Sequence, residues 1–381
     1  MIKKKILFFT ENLYGGGVEK ISQIILSHFD YNRYDVILYS LCKNEFDPNI
    51  FSPHIKYKYI YDKLESQDSV ITRFIKLAKN KIKLLVYAYT SPQFFYKLFV
   101  NEKVDAAIAF IEGYATRIIS GAPNTIKKIS WIHTDLSNNH WTKISYCNDN
   151  EEIQCYRNFH YIVCVSKKVK EEAENYLGTQ EKFVILYNPI DTKSILEKSI
   201  EPINETRSSQ KLIVTLGTLI PIKGYDRLLK VISKLKSDID IELRIYGKGK
   251  DLQKLEHMAQ DLNIEQNVKF AGFKQNPYPY LKQADIYVCS SYAEGFNTAI
   301  TEALVLGKPV VSTECSGVKE QLGDNNEWGI CCDNSEEGLY KSLKTMLTND
   351  NMTYYAKQAT IRGKDFSLNA SMDSIYNLIE R

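Results

Sequence analysis

The sequence predicts an α/β protein made of two Rossmann-like, doubly wound domains that face each other across a cleft. Three observations predict this. Short apolar runs bounded by turn residues alternate with longer helical patterns along the chain, the rhythm of parallel sheets covered by helices. That rhythm pauses once, at Asn188-Pro189-Ile190-Asp191 and the polar stretch Glu201–Gln210, and then restarts. The length of 381 residues suits two domains of ordinary size.

In the first half, Lys5–Thr10 reads as the opening strand and Val18–Phe29 as a helix after three glycines. Strands follow at Asp35–Ser40, Asp105–Phe110, Lys128–His133 and Tyr161–Ser166, then a helix at Lys168–Tyr176 and a strand at Phe183–Leu186. The second half repeats the pattern. Strands Leu212–Leu216, Ile241–Tyr246, Val268–Ala271, Ile286–Ser290 and Pro309–Ser312 alternate with helices Tyr225–Leu235, Asp251–Leu262, Pro277–Gln283 and Asn297–Leu306. Ser367–Arg381 reads as a final helix. The boundary is therefore placed at Pro189, giving domains 1–189 and 190–366. Open α/β sheets bind ligands beyond the carboxyl ends of their strands, so the cleft between the domains is the expected site.

Composition excludes several classes. Hydrophobic residues are 44% and charged residues 25%, ordinary globular values. A net charge of +3, with no zinc-finger spacing or continuous basic arm, argues against nucleic acid. The apolar run Ile6–Thr10 is too short for a signal-peptide core, and no apolar stretch approaches the ~18 residues of a membrane span. The eight cysteines include no CxxC pair and read as reduced thiols of a cytoplasmic protein, with Cys331–Cys332 at a strand end.

Four segments could carry chemistry. Glu294-Gly295-Phe296-Asn297-Thr298-Ala299-Ile300-Thr301-Glu302 follows a strand and opens a helix. Gly295 allows a tight turn, Asn297 and Thr298 are good caps, and the amides of Phe296, Asn297 and Thr298 would favour a diphosphate at the helix start. Glu294 and Glu302 would repel phosphate but suit hydroxyl groups, so a ligand carrying both diphosphate and sugar fits. Taken alone, such a helix-starting cluster is usually just a cap. The loop Gly217-Thr218-Leu219-Ile220-Pro221-Ile222-Lys223-Gly224 places Lys223 over the strand ends, where it could neutralise a leaving diphosphate. Gly15-Gly16-Gly17-Val18-Glu19 allows close ligand approach but is neither a GxGxxG fingerprint nor a P-loop. Trp131-Ile132-His133-Thr134-Asp135 brings His133 to a carboxyl strand end. Asp238-Ile239-Asp240 spells DxD, but at the amino end of a strand, so no metal is expected there.

Together, in this order, these segments resemble the retaining glycosyltransferases of family 4, which have the GT-B fold. Glu294 and Glu302 resemble that family's E-x7-E motif, GTLIPIKG its G-R-L-x-x-x-K-G loop, GGGVE its first-domain glycine loop, SWIHTDL its substrate-histidine segment, and YNPID its interdomain segment. The resemblance covers nearly the whole chain and is densest from Leu212 to Val318. It implies a metal-independent enzyme without cofactor, acting on a nucleotide sugar. UDP is expected on family frequency, with a glycan or lipid-linked acceptor. Glu302 would grip the ribose and Glu294 the transferred sugar. Phe296, Asn297 and Thr298 would offer amides to the diphosphate and sugar, with Gly295 shaping the turn. Lys223 would hold the diphosphate within the Gly217-Thr218 loop, and His133 would touch the donor sugar. Gly272-Phe273-Lys274 would receive the base. Gly16 and Gly17 would border the donor, and the tail helix 367–381 would pack back on the first, acceptor-side domain. Thr218 stands where the family usually has arginine, which removes one cation expected on the diphosphate.

Residues 71–97 carry six basic and no acidic residues, interleaved with apolar and aromatic ones. Such a helix either lies on anionic lipid, with Lys76, Lys79 and Lys83 at the surface, or packs on its own domain with a solvated basic face. The first reading expects a cytoplasmic protein peripheral to the inner face of the cell membrane. Two other functions share the fold class. A nucleotide-sugar epimerase would need paired acid–base groups around one sugar carbon, which are not seen. A non-catalytic glycan-binding partner subunit would be expected to lack Glu294, Glu302 or Lys223.

Overall fold

The computed structural model describes residues 3–13, 16–44, 51–137, 139–178, 181–207, 210–348 and 350–381. Gly15 of the glycine loop therefore lies outside the described residues. The chain divides into two compact units, residues 1–189 with 369–381, and residues 190–368.

Unit 1 runs β1 (Lys4–Thr10), α1 (Gly17–Ser27), β2 (Tyr34–Cys42), β3 (Lys56–Tyr61), α2 (Val70–Tyr89), α3 (Pro92–Phe99), β4 (Ala106–Ala109), α4 (Tyr114–Ser120), β5 (Lys127–Ile132), α5 (Asp149–Arg157), β6 (Tyr161–Cys164), α6 (Lys167–Leu177) and β7 (Phe183–Ile185). Its seven strands pair in parallel in the order β3-β2-β1-β4-β5-β6-β7. The central strands are apolar on both faces, as a doubly covered sheet requires: Ile6, Leu7, Phe8 and Phe9 of β1 are all buried.

Unit 2 runs α7 (Thr192–Lys198), β8 (Lys211–Leu216), α8 (Tyr225–Leu235), β9 (Ile241–Tyr246), α9 (Leu252–Asp261), β10 (Val268–Gly272), α10 (Tyr278–Gln283), β11 (Ile286–Cys289), α11 (Thr298–Val305), β12 (Val310–Thr313), α12 (Val318–Leu322), β13 (Ile330–Cys332), α13 (Glu336–Leu347) and α14 (Asn351–Gly363). Its six parallel strands are ordered β10-β9-β8-β11-β12-β13. Two apolar clusters fill the two faces of this sheet, one around Leu228, Ile232 and Leu343, the other around Ile300, Leu304 and Val318.

The last helix, α15 (Leu368–Glu380), is packed in unit 1. Its Tyr376 stacks on Tyr34 at 5.5 Å and accepts a hydrogen bond from the Asp30 amide at 2.8 Å, while Lys127 donates to Ile379 O at 3.0 Å. In each sheet the strand order reverses once, at β1/β4 and at β8/β11. The crevice at the carboxyl ends of such a strand pair is where open α/β sheets hold ligands.

Residues 71–97 form two helices rather than one. Pro92 has no N–H and stands at the first turn of α3, where the loss is harmless, and Ser91 caps that turn by accepting from Phe94 N. All eight cysteines are free thiols. Burial pushes Cys331 up to about 12 and Cys332 to about 11, so both stay protonated on β13.

Candidate active site

The switch point of unit 2 assembles most of the expected residues. β8 leaves the sheet through Gly217-Thr218 and a 3-10 turn, Pro221–Lys223. Gly224 then turns left-handed at φ 61° and starts α8; a Cβ there would lie 2.1 Å from Ser290 O, so only glycine lets this loop lie against the end of β11. Ser290 Oγ closes the contact by donating to Lys223 O at 2.9 Å.

Across that seam Lys223 Nζ meets Glu294 Oε1 at 2.7 Å. The same oxygen accepts from Ser291 Oγ at 2.6 Å and Asn297 Nδ2 at 3.1 Å. Burial alone would lower the Lys223 pKa, but the Glu294 carboxylate more than offsets it and holds it above the ordinary lysine value. The structure thus brings Lys223 and Glu294 into direct contact, a pairing 71 residues apart in sequence. Asn297 is the N-cap of α11, its Oδ1 accepting from Ala299 N at 3.0 Å. Gln321 braces this helix start by donating to Asn297 O at 2.8 Å and Thr301 Oγ1 at 2.7 Å. Phe296 is buried beside it, and Thr298 opens the helix.

Glu302 lies in α11 and is 4% exposed. Glu294, in the loop before the helix, is partly buried, and Glu302 falls on the second turn of α11.

Thr218 and its neighbours pack on the adjacent strand end. Gly217 N donates to Tyr246 O and Leu219 N to Lys248 O, both at 3.0 Å. Lys248 is thereby joined to the Thr218 loop through its carbonyl. It stands 5.2 Å from the ring of Phe273, which is 61% exposed beyond β10. Gly272 precedes it at φ 71°, and Gly247 N donates to Gly272 O at 3.0 Å. Lys274 is paired with Glu205 at 2.9 Å.

Sequence reasoning missed Arg227. It lies in the first turn of α8, where a charged residue reads as solvated, yet it is 3% exposed. Its Nε donates to Ser290 O at 2.7 Å, its Nη1 to Asn334 Oδ1 at 2.6 Å and its Nη2 to Thr313 Oγ1 at 3.2 Å and to Ser291 O, and its plane lies 4.0 Å from the Tyr292 ring. The guanidinium fork fixes the loop that presents Glu294.

His133 follows β5 in unit 1 and is 7% exposed. Its Nε2 donates to Phe110 O at 2.8 Å, which leaves Nδ1 as an acceptor in the neutral ring, and its amide donates to Glu112 Oε2 at 3.0 Å. Burial lowers its pKa, against the pull of Glu112, so the ring is neutral at pH 7. Gly16 caps α1 and Gly17 opens it. Asp238 and Asp240 sit before β9, bound to Lys344 at 2.7 Å and Gln210 at 2.6 Å.

Glu11, just past β1, accepts from Tyr114 N at 3.2 Å. Burial pushes its carboxyl up to about 7, against that hydrogen bond and with help from Glu112 and Glu19. The folded pKa exceeds the unfolded value of roughly 4.3. The contribution to stability is therefore full below about pH 4 and is lost as pH rises through about 7, at most ~4 kcal/mol. Glu11→Gln should match wild type in urea unfolding near pH 4 and exceed it near pH 8. An equal decline in both proteins would contradict the shift.

Known proteins resemble this chain in sequence and in fold. Residues 197–362 match the family model described as Glycosyl transferases group 1. The chain is 32% identical over 201 residues to a Campylobacter jejuni N-acetylgalactosamine-N,N'-diacetylbacillosaminyl-diphospho-undecaprenol 4-alpha-N-acetylgalactosaminyltransferase, covering 52% of this chain and 53% of that protein, about half its length. It is 27% identical to an uncharacterized glycosyltransferase of Haemophilus influenzae over 91% of each chain. The crystal structure of Anabaena HepE in complex with UDP and glucose superposes with a TM-score of 0.76 at 17% identity, over 99% of both chains. The fold is the GT-B fold of glycosyltransferases.

Proposed function

We propose that the protein is a retaining glycosyltransferase that moves a sugar from a nucleotide sugar, a UDP-sugar, to a lipid-linked glycan without a metal. The observation that carries this reading is the Lys223–Glu294 pair at the start of α11, on the β8/β11 switch point. It sets a cation for phosphate beside a carboxylate for hydroxyls, the two chemistries that a nucleotide sugar combines. The ligands in the HepE structure and the undecaprenol-linked substrate in the name of the Campylobacter enzyme support the donor and acceptor classes.

Cleavage of the sugar–phosphate bond builds negative charge on the leaving diphosphate. Lys223 and the amides at the start of α11 would stabilise it. Glu294 Oε1 already accepts three donors, which fixes the carboxylate and leaves its other oxygen to orient the transferred sugar. Same-face attack, with the leaving phosphate taking the acceptor proton, needs no protein base. Glu302 would hold the ribose, Phe273 the base, and neutral His133 Nδ1 would accept from a sugar hydroxyl. A lipid-linked acceptor puts the enzyme at a bilayer, the cytoplasmic face of the cell membrane, and residues 71–97 are the segment assigned to that contact.

The test is a screen of UDP-, GDP- and ADP-sugars, each in excess EDTA, for thermal stabilisation and nucleotide release. A UDP-sugar should raise Tm and turn over. Activity that vanishes in EDTA and returns with manganese would overturn the metal-free mechanism, and stabilisation by none of the donors would overturn the donor class.

A further inference from the structure

Helix α2 is oriented opposite to a helix that covers a core. Its polar stripe faces unit 1. Lys76 Nζ pairs with Asp68 at 2.8 Å, Asn80 exchanges hydrogen bonds with the Asp62 backbone at 2.8 and 3.0 Å, Lys83 Nζ donates to Ile60 O at 2.5 Å, and buried Tyr87 donates to Ser145 O at 2.7 Å. Spacings of three and four residues put these four on one side of the helix. The opposite side is apolar and in water: Ile71 is 73% exposed, Phe74 73%, Ile82 58%, Leu85 47% and Tyr89 84%, with Ala78 among them. Lys79 and Lys81, both exposed, fall on either flank of that stripe. This corrects the expectation that Lys76, Lys79 and Lys83 act together at a lipid surface: Lys76 and Lys83 are tied to the protein. The solvated side is largely apolar, with Arg73, Lys79 and Lys81 exposed beside the apolar stripe.

A contiguous apolar face of this length marks an interaction surface. Charge decides the occupant. No acidic residue occurs from Ser69 to Asn101, while Arg73, Lys79 and Lys81 are exposed. A second copy docked face to face would set these cations against their own kind; an anionic bilayer complements them. Among the described residues no helix is long and apolar enough to cross a membrane, so α2 would lie on the bilayer rather than span it.

We propose that α2 lies in the plane of an anionic bilayer. Ile71, Phe74, Ile82, Leu85 and Tyr89 enter the boundary between headgroups and acyl chains, Lys79 and Lys81 extend to lipid phosphates, and Lys76, Asn80 and Lys83 clamp the helix to unit 1. The proposal rests on the membrane reading of residues 71–97 and adds the face that inserts.

The experiment is co-sedimentation of the full chain with vesicles of phosphatidylglycerol and phosphatidylcholine, at low and physiological salt. Wild type, Phe74→Asp/Ile82→Asp and Lys79→Glu/Lys81→Glu are compared, with circular dichroism confirming the fold; all four sites are exposed. The apolar double variant should lose at least about tenfold in partitioning at both salts. The lysine reversal should lose about fivefold per residue at low salt, the equivalent of ~1 kcal/mol each, and less at high salt. Equal binding by Phe74→Asp/Ile82→Asp and wild type would overturn insertion while leaving surface adsorption intact. Failure of wild type to bind would overturn the membrane reading itself. A dimer that Phe74→Asp dissociates in sedimentation velocity, without vesicles, would assign the face to a second copy instead.

Discussion

Lys223→Ala is expected to lower turnover by about 2–4 kcal/mol of transition-state stabilisation, the scale of one preorganised donor removed from a water-poor site. The structure sharpens the reason. In the resting protein Lys223 neutralises Glu294 at 2.7 Å. Removing the ammonium withdraws a cation from the diphosphate and also leaves a carboxylate charge facing it. The loss should fall on kcat/KM through both donor affinity and chemistry. Because the two side chains touch, their effects should not add: Lys223→Ala/Glu294→Gln should be less impaired than the sum of the single variants. Wild-type turnover in Lys223→Ala would refute the role, and strict additivity would show that the pair does not act as a unit.

The second large effect separates the two glutamates. Glu302 is assigned to the ribose, present in donor and free nucleotide alike, and Glu294 to the transferred sugar. Glu302→Ala should weaken UDP and UDP-sugar together by about 1.5–3 kcal/mol, the range of a hydrogen bond to a charged group. Glu294→Ala should leave UDP affinity nearly unchanged and reduce turnover. Since Glu302 is buried in α11, Glu302→Gln is the companion variant, keeping the side chain's volume while removing its charge. Calorimetric titration with UDP separates the cases, and equal loss of UDP affinity in Glu294→Ala and Glu302→Ala would sink the division of labour.

The fold class was legible because both sheets are parallel and covered on both faces, so their strands read as short apolar runs between helices. Tyr225–Leu235 and Ile241–Tyr246 fall at the predicted residues. The edge strand Lys56–Tyr61 was not read, since its lysines alternate with tyrosines and a sheet edge needs no apolar run. Ile330–Cys332 was read only as the strand end that carries Cys331–Cys332, since it spans just three residues. At the site, the segments were legible but their contacts were not. Nothing in the sequence says that the β8 loop is held against β11, which requires the positive φ of Gly224. Nor does it say that Arg227 turns inward, because a charged residue at helical spacing reads as a solvated one. The wheel of α2 likewise showed an apolar arc and a polar arc without showing which arc meets the domain; Asp62, Asp68 and Ile60, from the chain just before it, decide that.

The most direct measurement of the central claim is the initial rate of sugar transfer from a radiolabelled UDP-sugar to a lipid-linked acceptor, run side by side on wild type, Lys223→Ala and Glu294→Ala. Glycosyl transfer at the β8/β11 switch point predicts a labelled product with wild type and a fall of roughly thirtyfold or more for Lys223→Ala, the rate equivalent of ~2 kcal/mol, with a comparable loss for Glu294→Ala. Full activity in both variants would contradict it.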